Sequence, residues 1–448
     1  MLLPTIAVAA THTVPDDFAT IQAAIDGAEN DDTILVKPSI YIENIDASEK
    51  IIHLIADGPA NRVILQPADR LSAILRLGHF SDVSGFTFTG GDTLIFSAIQ
   101  IMGNFSEVKN NVFLANTGTV TVGGEGLSPT ITGNTFSQNT CDKGLIGGTI
   151  ALFGNTAPTV SNNLIHNNTC TAITMQTTGN ATHSITNNTL VNNEQGIDFG
   201  PTLEPENKVV RNNIVIGNDV GLNSQDSTLS TIENNLFFNN ERNYTSDDLT
   251  GLNGNISVDP QFVNLEGNNF HLTTGSPAIN SGSSTDAPTT DLDGKPRNDG
   301  KIDMGAFEFS NPACATESVT NQFSFGNKVQ YQLRALRDNQ LKNSETGQQL
   351  TGLYYKHSAE LKTIMKKDWV LKLQGLQILL RTAYAYHSGK DDLVPFNRYY
   401  SSVIERFISR AKSKGVSIEL ENDLHDISNI LGRMRGLTVQ ETLLELQH

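Results

Sequence analysis

The stretches Asn162-Asn163-Leu164-Ile165, Asn187-Asn188-Thr189-Leu190 and Asn212-Asn213-Ile214-Val215 decide the fold of this 448-residue chain, because they repeat one pattern at a regular distance. Each consists of two polar residues, usually a pair of asparagines, followed by apolar residues or threonine. The second asparagine recurs at positions 111, 134, 163, 188, 213 and 235, in steps of 23, 29, 25, 25 and 22 residues. This period predicts a solenoid of stacked structural repeats.

The segments between the asparagine pairs alternate as β-strands do. Thr159-Val160-Ser161 and Ser184-Ile185-Thr186 each place one apolar residue between two hydroxyl residues, so one face points to a narrow core. Asparagine at a fixed phase tolerates left-handed turns, and stacked asparagine side chains can form a hydrogen-bonded ladder. Helical repeats would need a period of 3.6. The predicted fold class is therefore mainly β, a parallel β-helix.

Two cysteines test this register. Cys141 and Cys170 each follow an asparagine of the repeat, Asn134 or Asn163, by seven residues. They are therefore expected at the same phase of adjacent coils, about 4.8 Å apart in backbone spacing, which lies within the range that disulfides span. The spacing predicts stacked neighbours and leaves open whether they are bonded or remain buried free thiols.

The ends of the chain differ from the repeats. Residues 18–25 predict a short amphipathic helix that caps the solenoid, with Asp16 and Asp17 as N-cap candidates. From about residue 328 the apolar residues follow a helical period, which predicts a small all-α domain of five or six helices, the last opened by a capping box at Thr438–Glu441. The predicted domains are 1–10, a signal-peptide remnant; 11–258, the capped β-helix; 259–310, its end; 311–327, a linker; and 328–448, the helical domain.

Charge and hydropathy narrow the function. Residues 1–310 hold 13 Lys and Arg against 34 Asp and Glu, a difference of −21, whereas residues 311–448 hold 18 against 14, a difference of +4. An acidic body argues against nucleic acid as its partner and is compatible with cations or neutral glycans. The sequence contains no run of about 20 apolar residues, so it predicts no transmembrane segment. The short apolar start, ending in small residues, is typical of a secretion signal and predicts an extracellular or cell-surface protein.

The opening of the body carries a family resemblance. The stretch 14–25, Val-Pro-Asp-Asp-Phe-Ala-Thr-Ile-Gln-Ala-Ala-Ile, and the stretch 37–44, Lys-Pro-Ser-Ile-Tyr-Ile-Glu-Asn, are similar to the start of many pectin-lyase-like proteins. The usual Gly after Lys-Pro is Ser39 here. The resemblance covers about residues 12–258. It implies a right-handed parallel β-helix and indicates little about activity.

Two further resemblances concern the C-terminal half. Residues 259–309, with Asp259-Pro-Gln-Phe, Gly275-Ser-Pro-Ala-Ile-Asn280 and Asp291-Leu-Asp-Gly-Lys-Pro-Arg297, resemble the choice-of-anchor Q module of bacterial surface β-helix proteins. That resemblance implies attachment to the cell surface. Residues 314–373 are similar, more loosely, to a helical module with a Cys-Phe-Ile-Ala-Thr-Ala-Ala-Tyr-Gly box, which here reads Cys314-Ala-Thr-Glu-Ser.

Candidate catalytic residues are few. The combination of Asn-x-Asp with Asp-Asp and Gly-His-Gly that marks β-helix hydrolases is absent, since Gly-His-Gly does not occur, and the Arg-x-Pro-x-x-Arg of lyases does not occur either. Lyases need a cation or Arg near the uronate carboxylate together with a base, and hydrolases need paired carboxylates. Asp198, Arg211 and Asp226 lie in successive repeats and form the catalytic hypothesis if they share one outer wall. The alternative is that they are isolated polar residues on a solvated surface.

A second carboxylate group lies near the end of the body. Asp286, Asp291, Asp293, Asp299 and Asp303 fall within one segment, and Asp291-Leu-Asp-Gly has the alternating spacing of a calcium loop without its distal Glu. Asp291, Asp293, Asp299 and Asp303 are therefore candidate Ca²⁺ ligands, and turn formation by Asp and Gly is the alternative.

Two functional hypotheses follow. The favoured one is a secreted or cell-surface scaffold, non-catalytic, that binds a polysaccharide or another cell-surface component, or that self-associates through its solenoid ends or helical domain into homo-oligomers. The alternative is a polysaccharide lyase or glycoside hydrolase acting on an acidic polysaccharide.

Overall fold

The computed structural model describes residues 9–91, 97–141, 147–178, 181–200, 207–224, 230–297 and 301–309, and, toward the C-terminus, residues 349, 353, 356–357, 360–365, 367–387, 394–395 and 397–446. The chain divides into two compact units, Met1–Phe309 and Ser310–His448. The finer predicted boundaries, at 258, 310 and 327, stay predictions, and residues 1–8 of the predicted leader lie outside the described residues.

The first unit is a right-handed parallel β-helix, as the repeat and the resemblance predicted. Each of nine coils contributes one strand to each of three parallel sheets. Sheet 1 has ten strands: β1 Thr11–Val14, β2 Asp32–Val36, β5 Ile52–Ala56, β8 Asp82–Ser84, β11 Glu107–Lys109, β14 Thr130–Thr132, β17 Thr159–Ser161, β20 Thr182–Thr186, β23 Asn207–Arg211 and β26 Thr231–Glu233.

Sheets 2 and 3 have nine strands each. Sheet 2 contains β3 Ser39–Ile42, β6 Val63–Gln66, β9 Thr87–Thr89, β12 Val112–Leu114, β15 Thr135–Ser137, β18 Leu164–His166, β21 Thr189–Val191, β24 Ile214–Ile216 and β27 Leu236–Phe238. Sheet 3 contains β4 Ile45–Ala47, β7 Leu75–Leu77, β10 Ile99–Ile101, β13 Val120–Gly123, β16 Gly148–Gly154, β19 Thr171–Thr177, β22 Gln195–Asp198, β25 Val220–Asn223 and β28 Arg242–Tyr244. Coil 1 begins with β2.

The core of the β-helix is built from stacks of like side chains. In sheet 2, Phe88, Phe113 and Phe136 occupy equivalent positions of coils 3 to 5, fully buried. Their rings stack with centroids 5.1 and 4.6 Å apart. Parallel strands in direct register bring identical positions into contact at every coil, so one apolar residue per strand suffices to make a continuous core.

The asparagine pairs form the turn between sheets 1 and 2, as predicted. The first residue of each pair is left-handed, with φ of 53° at Asn162, 54° at Asn187 and 58° at Asn212. The second residue is buried and forms the ladder. For example, Asn188 Nδ2 donates to Asn213 Oδ1 at 3.0 Å, and Asn188 Oδ1 accepts the backbone amide of Asn163 at 2.9 Å.

A second ladder, which the sequence pattern did not reveal, runs along the turn between sheets 2 and 3. Each member donates Nδ2 to the Oδ1 of the member in the next coil at 2.8 to 3.3 Å, and the last member only accepts; in order they are Asn116, Asn139, Asn168, Asn193, Asn218 and Asn240. The preceding residue changes from coil to coil, for instance Ala115, Gln138 and Asn167, so no dipeptide repeats there.

A short helix caps the N-terminal end, as predicted, but it begins later in the chain. Helix α1 spans Ile21–Gly27, and its N-cap is Thr20 rather than Asp16 or Asp17. The predicted cap residues lie in the turn that follows β1, where Asp17 Oδ2 accepts the amide of Thr13 at 2.8 Å. The carboxylate of Glu43 accepts the first two amides of the helix at 3.1 and 3.0 Å, so these donors are satisfied from the neighbouring coil.

Cys141 and Cys170 are stacked neighbours in adjacent coils, with Cα atoms 5.4 Å apart, and they form a disulfide. This confirms the predicted register and answers the question that the spacing left open.

Residues 259–309, here called the strap, add no further coil. They form the antiparallel hairpin β29 Phe262–Asn264 and β30 Asn269–Leu272, and then cover the outer face of sheet 2 in coils 6 to 9. The buried side chains of this contact are Leu164, Val191, Ile214, Ile216 and Leu236 from sheet 2 and Phe270, Leu272, Ala278, Met304, Ala306 and Phe307 from the strap.

Outward-pointing asparagines of the turn hold the strap. Asn212 Nδ2 donates to the carbonyl of Ser283 at 2.8 Å, and Asn212 Oδ1 accepts the Ser283 amide at 2.7 Å. Asn187 Nδ2 donates to the carbonyl of Asp303 at 3.0 Å. The first residue of each pair therefore has two roles, because it sets the turn and also binds the strap.

A buried ion pair lies within the strap. Arg297 Nη1 donates to Glu308 Oε2 at 2.8 Å, with the two side chains 0% and 2% exposed. Arg297 Nη2 also donates to Asn162 Oδ1 of the β-helix at 2.9 Å. Burial lowers the pKa of Arg297.

In the second unit the described residues form helices α2 Trp369–His387, α3 Arg398–Lys412, α4 Ile418–Arg433 and α5 Val439–Leu446. The predicted capping box is confirmed, since Thr438 Oγ1 accepts the Glu441 amide at 3.2 Å and the Glu441 carboxylate accepts the Thr438 amide at 2.8 Å. Among the described helices, none has the length and apolarity that a bilayer crossing requires.

Candidate functional site

The three predicted catalytic residues are not gathered into one cluster among the described residues. Asp198 ends β22 of sheet 3, where its Oδ1 accepts Asn223 Nδ2 at 2.9 Å. Arg211 ends β23 of sheet 1, where its Nε donates to Glu233 Oε1 at 2.7 Å. Asp226 lies outside the described residues. The assignment of catalysis to Asp198, Arg211 and Asp226 stays a prediction.

The predicted calcium ligands bind different partners. The carboxylate of Asp291 accepts the amides of Lys295 at 2.7 Å and Glu308 at 2.9 Å. Asp303 Oδ1 accepts the Asn280 amide at 2.7 Å. Both carboxylates thus accept hydrogen bonds from backbone amides, which is the turn-forming arrangement stated as the alternative.

The remaining members of this acidic group are no closer to a common centre. Asp293 Oδ2 accepts hydrogen bonds from Lys295 Nζ at 2.6 Å and from His271 Nε2 at 2.9 Å. Burial acts to raise the pKa of Asp293, but these two partners outweigh that effect, so the pKa is lowered. Asp286 pairs with Arg211 at 3.0 Å. Asp299 lies outside the described residues, and the calcium site stays a prediction.

An exposed aromatic pair stands at the corner between sheets 3 and 1. Phe80 and Phe105 leave coils 2 and 3 at equivalent positions, and their side chains are 55% and 59% exposed. Their rings are stacked, with centroids 5.5 Å apart and an interplanar angle of 25°. Next to them, Met102 is 53% exposed. Large exposed apolar groups that adjoin one another mark interaction sites more often than single exposed residues do.

The backbone beneath this pair is strained. Phe80 has a φ of 54° and Phe105 a φ of 56°, in the left-handed region that bulky residues rarely adopt. Such conformations cost of order 1–3 kcal/mol and cluster at binding and active sites. A turn that served folding alone would be more stable with Gly or Asn at these positions.

Hydrogen bonds fix the two turns to each other. The Phe80 amide donates to the Asn104 carbonyl at 2.9 Å, and Ser106 Oγ donates to the Gly78 carbonyl at 2.6 Å. The contact is close, since a Cβ on Gly103 would lie 2.0 Å from the backbone nitrogen of His79. The backbone that carries the two rings is therefore held by hydrogen bonds between adjacent coils.

A cluster of charged groups adjoins the aromatic pair on the outer face of sheet 1. Asp82 and Glu107 follow the two phenylalanines by two residues and are direct neighbours in the sheet. Lys109 Nζ lies 2.5 Å from Glu107 Oε2 and 3.4 Å from Asp82 Oδ2, and His53 Nδ1 is hydrogen-bonded to Asp82 Oδ1. These side chains are between 15% and 37% exposed.

The electrostatics of this cluster keep its lysine charged. Burial acts to lower the pKa of Lys109, but its hydrogen bond to Glu107 and the negative charge of Asp82 outweigh that effect and raise the pKa. The cluster thus combines the ammonium donor of Lys109 with the carboxylate acceptors of Asp82 and Glu107 beside an aromatic surface. We call Phe80, Phe105, His53, Asp82, Glu107 and Lys109 the corner site.

Sequence reasoning missed the corner site, although a signal was present. The tetrapeptides Gly78-His79-Phe80-Ser81 and Gly103-Asn104-Phe105-Ser106 match at three of four positions and are 25 residues apart, which is the period of the solenoid. A comparison of all residues at equal phase, rather than of asparagines alone, would have paired the two phenylalanines.

Comparison with known families gives one match. A profile of the family described as periplasmic copper-binding protein (NosD) matches residues 81–271, which span coils 3 to 9 of the β-helix and the first residues of the strap. No curated protein sequence is significantly similar to this chain.

Several solved structures are similar. Pectate lyase Pel9A is 15% identical, with 68% of this chain and 97% of the enzyme covered and a TM-score of 0.42. Pectin methylesterase from carrot is 12% identical, with 57% and 90% covered and a TM-score of 0.31. Alginate lyase from Paenibacillus sp. str. FPU-7 is 14% identical, with 56% and 96% covered and a TM-score of 0.31.

The described residues do not fit a copper ion. Copper sites use combinations of His, Cys and Met with carboxylates, and Cys141 and Cys170 are joined in a disulfide. Across the described ranges, no three or more His, Cys, Asp or Glu side chains converge on a common point. The fold and the corner site together define a parallel β-helix protein with an exposed aromatic and polar surface.

Proposed function

We propose that this chain is an extracytoplasmic β-helix that binds an uncharged polysaccharide without cleaving it, and that the corner site is the binding surface. The observation that carries the proposal is the stacked, exposed pair Phe80 and Phe105, held in a strained backbone conformation. The strain has a cost that packing does not offset, because the rings point to solvent.

The chemistry of the corner site suits a sugar. A pyranose ring has a face of C–H groups and a rim of hydroxyls, and binding sites for such amphipathic ligands combine aromatic side chains with a few well-placed polar groups. The rings of Phe80 and Phe105 offer the apolar contact. Glu107, Asp82 and Lys109 offer acceptors and donors for hydroxyl groups beside it.

Charge favours an uncharged ligand. The body of the protein carries a net charge of −21 over residues 1–310, from 13 basic and 34 acidic residues. A polyanion such as a uronate polymer would approach against this field, whereas a neutral glycan would not. Within the corner site Lys109 is already paired with two carboxylates. A neutral glycan therefore fits the surface better than an acidic one.

Three observations support a location outside the cytoplasm. Disulfides such as Cys141–Cys170 persist mainly in oxidising compartments. The family whose profile matches residues 81–271 is described as periplasmic. The choice-of-anchor resemblance of residues 259–309 suggests attachment to a cell surface. The glycan partner would then be a component of the envelope or of the surroundings.

Binding without cleavage is favoured by the pairing within the corner site. Glycoside hydrolysis needs one carboxyl group as an acid and another as nucleophile or base, both facing the scissile bond. Asp82 and Glu107 instead share Lys109, and Asp82 also binds His53. The alternative, a lyase or hydrolase, would use Asp198, Arg211 and Asp226, and it would act on an acidic polysaccharide.

Affinity electrophoresis of the full chain in gels containing neutral or uronic-acid polysaccharides, with and without Ca²⁺, tests the proposal, with reducing-end release measured in parallel. We expect retardation by a neutral polysaccharide, no new reducing ends, and about tenfold weaker binding in Phe80→Ala and Phe105→Ala. Phe262→Ala, a change of the same type in the strap, serves as the control. Cleavage, or binding that both corner variants retain, would refute the proposal.

A further inference from the structure

One row of side chains runs the whole length of sheet 1. The register places one outward residue of each of its ten strands in direct line, namely Thr11, Thr33, His53, Asp82, Glu107, Thr130, Thr159, Ser184, Val209 and Thr231. All of them except Val209 can form hydrogen bonds through their side chains, and every member is at least partly exposed. We call this set the polar row.

The polar row is a one-dimensional lattice. Its members repeat at the spacing of adjacent strands, about 4.8 Å, so equivalent groups recur at equal intervals along the β-helix axis. From Asp82 to Ser184 it crosses five adjacent strands, a distance of roughly 19 Å at this spacing. A periodic surface is complementary to a periodic ligand, since each additional repeat of the ligand meets an equivalent set of groups.

The corner site opens onto this row. Asp82 and Glu107 belong to both, and Phe80 and Phe105 precede them by two residues in the chain. A polymer that contacts the two rings is thus directed toward Thr130, the next member, and continues along sheet 1 over coils 5 to 7. No described residue of the strap is hydrogen-bonded to Thr130, Thr159 or Ser184.

The other outer faces lack a comparable row. On sheet 2, the positions of coils 6 to 9 are apolar and covered by the strap. On sheet 3, the line of Arg76, Gln100, Thr121, Ala151 and Thr174 is interrupted by a buried alanine, and Thr174 is itself only 3% exposed. Among the described residues, sheet 1 is therefore the face on which polar groups continue past the corner site.

We infer that the ligand is a linear polysaccharide that lies along the β-helix axis, with one part on the corner site and the rest on the polar row, so that affinity depends on chain length. This inference rests on the proposed function and specifies the ligand further. It selects an internal stretch of a long, linear, hydroxyl-rich polymer over a chain end or a branch point.

The test is calorimetric titration of the full chain with linear neutral oligosaccharides, from disaccharide to decasaccharide, of the polysaccharide that is retarded in the gel. For the wild type we expect affinity to rise with length and level off once the polar row is covered. In the double variant Thr130→Val, Thr159→Val the affinity for long oligosaccharides should fall by roughly tenfold, while that for the shortest ones stays the same. The matched control is the double variant Thr89→Val, Thr135→Val on sheet 2. Its affinity for long and short oligosaccharides should equal that of the wild type.

The outcomes separate the two proposals. Equal affinity for short and long oligosaccharides would overturn the axial placement and leave the corner site standing. Equal losses in the row variant and in the sheet 2 control would also overturn it, because the effect would not belong to the polar row. Failure of every oligosaccharide and polysaccharide to bind would overturn both the placement and the proposed function.

Discussion

The outer faces of sheets 1 and 2 share one backbone and differ in what covers them. Both present outward side chains in every coil, but sheet 2 carries Leu164, Ile214 and Leu236 at outward positions, whereas sheet 1 carries Thr159 and Thr231. The strap buries the apolar face of sheet 2 and also reaches Arg211 on sheet 1, whereas every member of the polar row of sheet 1 remains at least partly exposed. In a solenoid the inward residues determine the coil, whereas the outward residues determine whether a face binds the protein itself or something else.

The largest expected effect on stability comes from the buried asparagine ladder in the turn between sheets 1 and 2. Asn188→Ala removes an acceptor for the Asn163 amide and a donor to Val160 and Asn213, leaving about three buried groups unsatisfied, each at a cost of ~1–3 kcal/mol. We expect the free energy of unfolding to fall by roughly 3–9 kcal/mol, measured by urea denaturation. Asn192→Gly, at an exposed left-handed position of the same coil, should cost far less; equal losses would contradict the role of the ladder.

The strap should be removable without loss of the coils. Arg297→Met leaves the Glu308 carboxylate buried without its cation and should destabilise the strap by about 3–5 kcal/mol. Faster proteolysis within residues 259–309, with the strand signals of the β-helix unchanged, is the expected result. Lys295→Met removes an exposed cation from the same segment and should cost about 1 kcal/mol or less. Cooperative loss of the coils in Arg297→Met would show that covered and open faces are not separable.

The open face can be tested through its strained phenylalanine. Glycine is usually less stable than alanine in ordered structure, but at the left-handed φ of Phe80 the order should reverse. We expect Phe80→Gly to be more stable than Phe80→Ala by about 1 kcal/mol in thermal denaturation, while both lose polysaccharide binding. If Phe80→Ala is the more stable of the two, the strain is absent and the main support for the corner site disappears.

The smallest effect concerns the N-terminal cap of sheet 1. The amides of Ala10 and Glu29 and the ring of His12 bind the carboxylate of Asp32 and lower its pKa to about 2. Because this folded-state pKa is below the unfolded value, the contribution is present above about pH 4 and is lost as the pH falls through about 2. Stability measured over that window should depend less on pH in Asp32→Asn. An unchanged pH dependence would show that these hydrogen bonds do not persist in solution.

The sequence predicted the features that recur at one phase and missed those that depend on packing between distant segments. The coil period, the left-handed Asn187 and the stacked cysteines follow from local geometry repeated at a fixed distance. The fold-back of the strap does not, because the partner of Asn187 at Asp303 is 116 residues away and no repeat links them.

The candidate site was predictable only in part for the same reason. The catalytic hypothesis groups Asp198 and Arg211 because they lie in successive repeats, yet the chain passes from sheet 3 to sheet 1 between them, and each binds a separate partner in its own sheet. The corner site lies where two turns meet across coils. Its signal, a matching tetrapeptide 25 residues apart, indicates proximity but not that the rings point to solvent.

Hydrogen exchange of the full chain, with and without a bound neutral polysaccharide, tests the central claim most directly. If the open face of sheet 1 is the binding surface, protection should appear in the turns at Phe80 and Phe105 and in β11, β14 and β17. Protection confined to sheet 3 around Asp198 and Asn223, with the turns of sheet 1 unchanged, would contradict that claim and point to the enzymatic alternative.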